Sequence, residues 1–280
     1  MAGRVNSTYA VTKIRRGSHG QFVTDTRADV VAGEEPLEIR VGGQTLTTTM
    51  RTPGHDIELA HGFLHSEGHI VSSSDVLEAR YCAGSVTSGP SGTAENTYNL
   101  LDVELRDPRA LNITDLRLTL TSSACGVCGT ASIEQLHKRT RYPLPDVPVD
   151  PELIAQLPAS LREHQKQFRK TGGIHAAGAF DFAGNPVVVR EDVGRHNAAD
   201  KVIGHLLLQN RLPAKDLILV LSSRASFELV QKAAMAGIGT LVAVSAASSL
   251  AVETARQTGL TLIGFARGDT FNLYSGRLAD

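Results

Sequence analysis

Leu217-Ile218-Leu219-Val220-Leu221, Leu241-Val242-Ala243-Val244 and Leu260-Thr261-Leu262-Ile263-Gly264-Phe265 are short apolar runs. Residues 227–236 and 250–258 separate them, with apolar positions at helical spacing. Near-continuous apolar strands are buried on both faces. The stretch therefore reads as βαβαβ, with parallel strands and right-handed crossovers. Sheets of this kind bind ligands at the carboxyl ends of their strands. Those ends carry Ser222-Ser223-Arg224, Ser245-Ala246-Ala247-Ser248 and Ala266-Arg267-Gly268-Asp269. Hydroxyls and two arginines suit a phosphate or a polar heterocycle. The serines also suit helix N-caps, and a capped helix N-terminus is itself an anion site.

Upstream, residues 176–182, the turn Ala183-Gly184-Asn185 and residues 186–190 read as a hairpin, followed by a helix over 197–210. Helices are expected over 151–157 and 160–170, stopped by Gly172-Gly173. Pro143, Pro145 and Pro148 mark an extended linker over 142–149. The expected organisation is a smaller α+β domain over 1–145 and an α/β domain over 146–280.

In the first part, residues 9–15 and 99–105 read as strands. Leu37-Glu38-Ile39-Arg40-Val41 and Gln44-Thr45-Leu46-Thr47-Thr48-Thr49-Met50 flank Gly42-Gly43, a two-residue hairpin turn. After Pro53-Gly54, a helix over 56–66 places Ile57, Ala60, Phe63 and Leu64 on one face, with Gly68 as its stop. His61 and His65 on that helix are expected at the surface or as caps. Residues 82–96 read as loop.

The 280 residues are 41% hydrophobic and 20% charged, with net charge −1. That is ordinary for a globular chain and gives no basic surface for nucleic acid. The N-terminus lacks the apolar core of a signal peptide, and no uncharged apolar run reaches about 18 residues. A cytoplasmic protein with no membrane span is expected. The three cysteines do not form a secreted disulfide framework.

Two of those cysteines lie in Thr121-Ser122-Ser123-Ala124-Cys125-Gly126-Val127-Cys128-Gly129-Thr130. A glycine follows each sulfur, which points to an exposed loop. A helix expected over 132–140 would aim its positive end at the sulfurs. Several chemistries use such a pair. Half of a zinc site needs further ligands, and no closely spaced histidine pair follows. A dithiol of the thioredoxin kind needs a strand before it. A thiolate nucleophile needs neighbouring donors or cations that lower its pKa. Two small buried apolar residues remain the plain alternative.

Four blocks in order carry a resemblance. They are Ser123-Ala124-Cys125-Gly126-Val127-Cys128-Gly129, Thr171-Gly172-Gly173-Ile174-His175-Ala176-Ala177, Arg190-Glu191-Asp192-Val193-Gly194-Arg195-His196-Asn197 and Ser223-Arg224-Ala225-Ser226-Phe227-Glu228. With Pro53-Gly54 and Gly62-Phe63-Leu64-His65-Ser66-Glu67-Gly68 upstream, they resemble the FdhD/NarQ family of formate dehydrogenase accessory sulfurtransferases. The resemblance implies a cytidine-deaminase-like α/β/α C-terminal domain. It implies a persulfide carried on Cys125, with Cys128 as helper or alternate carrier. A cysteine desulfurase would donate the sulfur. A molybdenum cofactor bearing two molybdopterin guanine dinucleotides would receive it, as bound substrate, for the formate dehydrogenase catalytic subunit. Phe265-Ala266-Arg267-Gly268-Asp269-Thr270 would bind that cofactor, with His175, Arg195, His196, Ser223 and Arg224 facing it. On the physics of the motif alone, Asp192, Arg195 and His196 could equally form a solvated turn with a capping Asp. A homodimer with no resident metal is expected. The rival reading is a non-catalytic chaperone of cofactor or apo-enzyme.

The same hairpin followed by alternating helices and strands, with His175 ahead, resembles the zinc nucleoside deaminases. Their chemistry needs His-x-Glu and then Pro-Cys-x-x-Cys. Here Ala177 stands where the glutamate belongs, and the only Cys-x-x-Cys precedes the histidine. Deamination is excluded on that basis.

Overall fold

The three apolar runs form β11 (Leu217–Leu221), β12 (Thr240–Ala243) and β13 (Thr261–Arg267), parallel and in register through Val220↔Val242 and Val242↔Ile263. The hairpin β9 (His175–Asp181) and β10 (Pro186–Asp192) joins one side, with β9 antiparallel to β11. On the other side β13 turns back into β14 (Thr270–Ser275), a strand that the sequence reading left out. The strand order is β10-β9-β11-β12-β13-β14. The computed structural model describes residues 4–82, 85–87, 94–96, 98–107 and 142–280. Cys125, Cys128 and the helix expected over 132–140 lie outside the described residues.

Alternation within these strands sorts the core into two layers. Leu217, Leu219, Leu221, Leu241 and Leu262 face one side, under α4 (Arg195–Leu208), α5 (Phe227–Met235) and α6 (Ser249–Thr258). Ile218, Val220, Val242 and Ile263 face the other, against Leu153, Ile154, Leu157 and Leu161 of α2 (Pro151–His164). Each such side chain contributes about 1.5–3 kcal/mol on burial, which is why both faces are apolar. Helix α2 runs through Pro158, where the sequence reading ended a helix. The four buried leucine and isoleucine side chains offset the hydrogen bond that proline removes. The break comes instead at Gln165, before α3 (Lys166–Thr171).

A second large sheet has four strands. Its hairpin is β3 (Glu35–Val41) and β4 (Gln44–Arg51), turning at Gly42 and Gly43 with φ of 56° and 79°. Strand β8 (Leu100–Leu105) lies parallel to β3, and β5 (Val76–Tyr81) lies antiparallel to β8. The long ribbon β1 (Asn6–Arg16) and β2 (Phe22–Ala32) pairs residue for residue from Asn6↔Ala32 to Arg16↔Phe22. Only part of β1 was expected. Within the stretch expected as loop, β6 (Ser85–Thr87) pairs with β7 (Ala94–Asn96). Among the described residues no helix is long and apolar enough to cross a membrane.

Helix α1 (Asp56–Ser66) matches the expected span, but its buried face differs. Leu59, Ala60 and Leu64 pack against the sheet, while Ile57 is 39% exposed. His61 and His65 are buried, contrary to the expectation for them. The cause is glycine. A Cβ at Gly62 would collide with the Asp200 carbonyl, and one at Gly204 with the Glu58 carbonyl. Helices α1 and α4 therefore cross in backbone contact, and α1 is covered on two sides. Glycine carries no apolar signal, so periodicity did not show this second face.

Ion pairs bind the two sheets where these helices cross. Lys201 Nζ lies 2.6 Å from Asp192 Oδ2 and donates to the Thr52 carbonyl at 2.8 Å. Lys232 Nζ donates to both oxygens of Asp200 at 2.7 and 2.9 Å. Removing one partner of a buried pair strands the other charge. Lys201→Met is expected to cost about 3–5 kcal/mol in chemical denaturation. Arg211→Ala, which breaks the exposed pair with Asp216, should cost no more than about 1 kcal/mol. Equal losses would refute the structural role of Lys201.

Candidate functional site

Strand β9 runs antiparallel to β11, so its first residue, His175, stands at the carboxyl end of β11. Ser222 fixes this junction: its N–H donates to the Ala176 carbonyl at 3.0 Å, and its Oγ accepts from the Ala176 N–H at 2.8 Å. Beside it, the β13 end bulges between Gly264 and Arg267. Phe265 adopts φ 53° there, with its ring 41% exposed. A bulky residue in the left-handed region costs on the order of 1–3 kcal/mol, which the surrounding hydrogen bonds must offset. One of these is the Phe265 N–H to the Ser245 carbonyl at 3.1 Å. The bulge turns Ala266 inward and brings exposed Arg267 back, so that Nε donates to the Val244 carbonyl at 3.2 Å.

The resulting cleft has a volume of about 670 Å³. His175, Ser222, Ala266, Arg267 and Gly268 form one wall. Arg162, Gln165 and Phe168, where α2 meets α3, form the other. Arg162 stacks over the Phe168 ring at 3.9 Å. This second wall leaves no mark in the sequence, because the helix break carries neither Gly nor Pro at Gln165. Its volume lies in the range of small-molecule sites, and its polar groups are few.

The predicted residues divide. His175, Ala266, Arg267 and Gly268 meet in the cleft, whereas Phe265, Asp269 and Thr270 stand beside it. Ser223 is buried, with Oγ donating to the Arg224 carbonyl at 3.1 Å, and Arg224 is exposed; neither lines the cleft. His196 lines a separate cavity of about 410 Å³, between β3, β4, α1, α4 and α5. Its Nε2 lies 3.2 Å from Ser226 Oγ and 3.8 Å from Glu228. Asp192 is neither solvated nor turned to a ligand. It is fully buried, accepting from Thr52 N, Gly194 N and Asn197 Nδ2. Among the described residues no group of three His, Cys, Asp or Glu side chains is placed to hold a metal ion.

Residues 32–279 match the FdhD/NarQ family pattern. The chain belongs to the FdhD/NarQ family. It is 57% identical to a sulfur carrier protein FdhD of Corynebacterium efficiens, over 99% of both chains. It is 53% identical to a protein of the same name from Nocardia farcinica, over 99% of this chain and 95% of that one. A crystal structure described as a formate dehydrogenase accessory protein from Desulfotalea psychrophila superposes with a TM-score of 0.69 over 96% of each chain. At 22% identity, that likeness shows the shared mixed α/β fold.

Burial and neighbouring cations lower the pKa of His175 and His196. Burial, and then the Arg195 charge, push His175 below its ordinary range. Burial and the Lys232 charge push His196 down to about 4. A depressed histidine contributes stability that is present above its ordinary pKa. It is lost as pH falls, because the unfolded state then binds more protons. The protein is expected to lose thermal stability from about pH 6.5 downward toward pH 4, and His196→Gln should flatten that slope. A slope unchanged in the variant would sink the assignment to His196.

Proposed function

We propose that this family member is a sulfur carrier for formate dehydrogenase. It accepts sulfur from a cysteine desulfurase at Cys125 and passes it to the molybdenum cofactor with two molybdopterin guanine dinucleotides. Its relatives are named sulfur carrier proteins, which supports the sulfur half. The cofactor half rests on one observation, the cleft at the carboxyl ends of β11 and β13, with its apolar floor and the Arg267 cation at its rim. A cleft of this size suits one nucleotide arm of the substrate, with the metal end projecting outward.

The transfer balances with the two cysteines. The Cys125 thiolate attacks the terminal sulfur of the desulfurase persulfide, and the desulfurase thiolate leaves. The Cys128 thiolate then attacks Sγ of the Cys125 persulfide. A Cys125–Cys128 disulfide forms, and the terminal sulfur leaves as hydrosulfide, carrying the electron pair that the dithiol lost. The molybdenum substrate takes up that sulfide. A thiol reductant restores the dithiol, which places the protein in a reducing cytoplasm. In the same reading the six-stranded sheet is a cytidine-deaminase-like scaffold without deaminase chemistry. Ala177, where the glutamate would stand, is packed in the core. The carrier works as a homodimer beside the catalytic subunit.

Incubated with a desulfurase and free cysteine, the wild type should gain the mass of one sulfur atom. Cys125→Ala should lose that adduct and fail to activate formate dehydrogenase, with its thermal midpoint unchanged. Normal activation by Cys125→Ala would leave the chaperone reading in its place. For the cofactor half, Arg267→Ala should weaken guanosine diphosphate binding by about 1–3 kcal/mol. Calorimetry giving equal affinity for both proteins would remove Arg267 from the site.

A further inference from the structure

The ribbon of β1 and β2 is a sheet of its own, and all but its last residue lies ahead of the family pattern, which begins at residue 32. It is tied to the body at its base. Asn6 Nδ2 donates to Gln167 Oε1 at 3.1 Å, and the Arg4 N–H to Glu35 Oε1 at 3.2 Å. From Thr8 to Ala28 no residue is buried, and Ile14 and Phe22 are 63% and 64% exposed. A two-stranded ribbon alone in water is marginally stable and needs a surface to pack on. Residues directly opposite each other share a face. One face, from the Thr8–Val30 pair to the Ile14–Thr24 pair, is uncharged, and Arg16 beside Phe22 ends it at the tip. The other face sets Lys13 against Asp25 and Tyr9 against Asp29. The charged face suits water, and the uncharged one lies open to it.

An uncharged face suits a second copy of itself, because a two-fold contact sets each surface against its own duplicate. Charge decides the direction. With the ribbons parallel, Arg16 would face Arg16. With them antiparallel, Arg16 of each copy reaches the base of the other, where Glu34 is exposed two residues past the end of β2. Resting on the reading of the protein as a homodimer, we infer that two ribbons pack antiparallel, uncharged face to uncharged face. Ile14 and Phe22 are then covered, and Arg16 pairs with Glu34 of the partner subunit. Strands of 11 residues make a ribbon about 36 Å long and about 10 Å wide. Two such faces bury on the order of 1,000 Å² of accessible surface, the size of a weak, exchanging interface.

Sedimentation of the full chain over a concentration series through the micromolar range tests this. The wild type should pass from monomer to dimer. Ile14→Lys combined with Phe22→Lys should stay monomeric throughout, and Arg15→Ala, on the charged face, should dimerise as the wild type does. Arg16→Glu and Glu34→Arg should each raise the dissociation constant about tenfold, since every dimer holds two such pairs. The two reversals in one chain should bring it back toward the wild-type value, and failure to do so would overturn the antiparallel pairing. At a concentration where the wild type is monomeric, the lysine variant should share its melting temperature. A lower one would mean that Ile14 and Phe22 pack on their own chain and would overturn the inference. A lysine variant that dimerises like the wild type would also overturn it, while the homodimer survived with its interface elsewhere. If that variant instead lost only its binding to the formate dehydrogenase catalytic subunit, the face would belong to that partner. A wild type monomeric at every concentration would overturn the homodimer and the inference together.

Discussion

Asp192 ends strand β10 inside the protein, fully buried, and everything around it is arranged to hold its charge. Lys201, nearly two helical turns into α4, stands 2.6 Å away. Backbone N–H groups of Thr52 and Gly194 and the Asn197 amide complete the shell. A buried carboxylate with fewer partners would be driven to protonate. Thr52 follows β4, whereas Gly194, Asn197 and Lys201 open α4. One carboxylate thus fixes the four-stranded sheet to the first turns of the helix that crosses the six-stranded one. Thr52 repeats the tie from its own side, its Oγ1 accepting from the Val193 N–H at 3.1 Å.

The cleft inherits its geometry from this junction. Asp192 pairs with His175 across the β9–β10 hairpin, so the anchored carboxylate sets where β9 begins. The neighbouring Glu191 turns the other way and holds the start of α3, and with it the Gln165 elbow. Successive residues of one strand point to opposite faces. Glu191 and Asp192 therefore position the two sides of the site from adjacent places in the chain. The mixed cluster of charge and glycine between Arg190 and Asn197 is a framework for the site rather than its ligand-facing surface.

Much of this was legible in the sequence, and the failures have definite causes. The apolar runs of β11, β12 and β13 permit nothing but strands buried on both faces, so their parallel order followed. Gly42-Gly43 fixed a hairpin because both positions require positive φ. The buried histidines of α1 were missed because the contact that covers them runs through Gly62 and Gly204, which have no side chain to show a pattern. Strand β14 was missed because its residues are half-buried or exposed and carry no apolar run, so that only pairing with β13 defines it. Residues grouped by motif also separated in space. His175 and His196 stand in different cavities because β9 and α4 start on different sides of the Asp192 anchor.

The charge of the cleft comes from arginine rather than histidine. His175 lines it, but burial and Arg195 lower its pKa. Arg162 and Arg267 supply its two guanidinium groups. A histidine-lined anion site strengthens as pH falls, and the lowered pKa of His175 moves that dependence below its ordinary range. Arg195 adds to the effect of burial. Its Nε is buried without a hydrogen-bond partner, and its charge acts on both His175 and His196. Its charge adds to burial at His175, and to burial and the Lys232 charge at His196, in opposing protonation of both rings. The cleft therefore presents a fixed arginine pair, Arg162 and Arg267, against the Phe168 wall, and His175 adds to its shape more than to its charge.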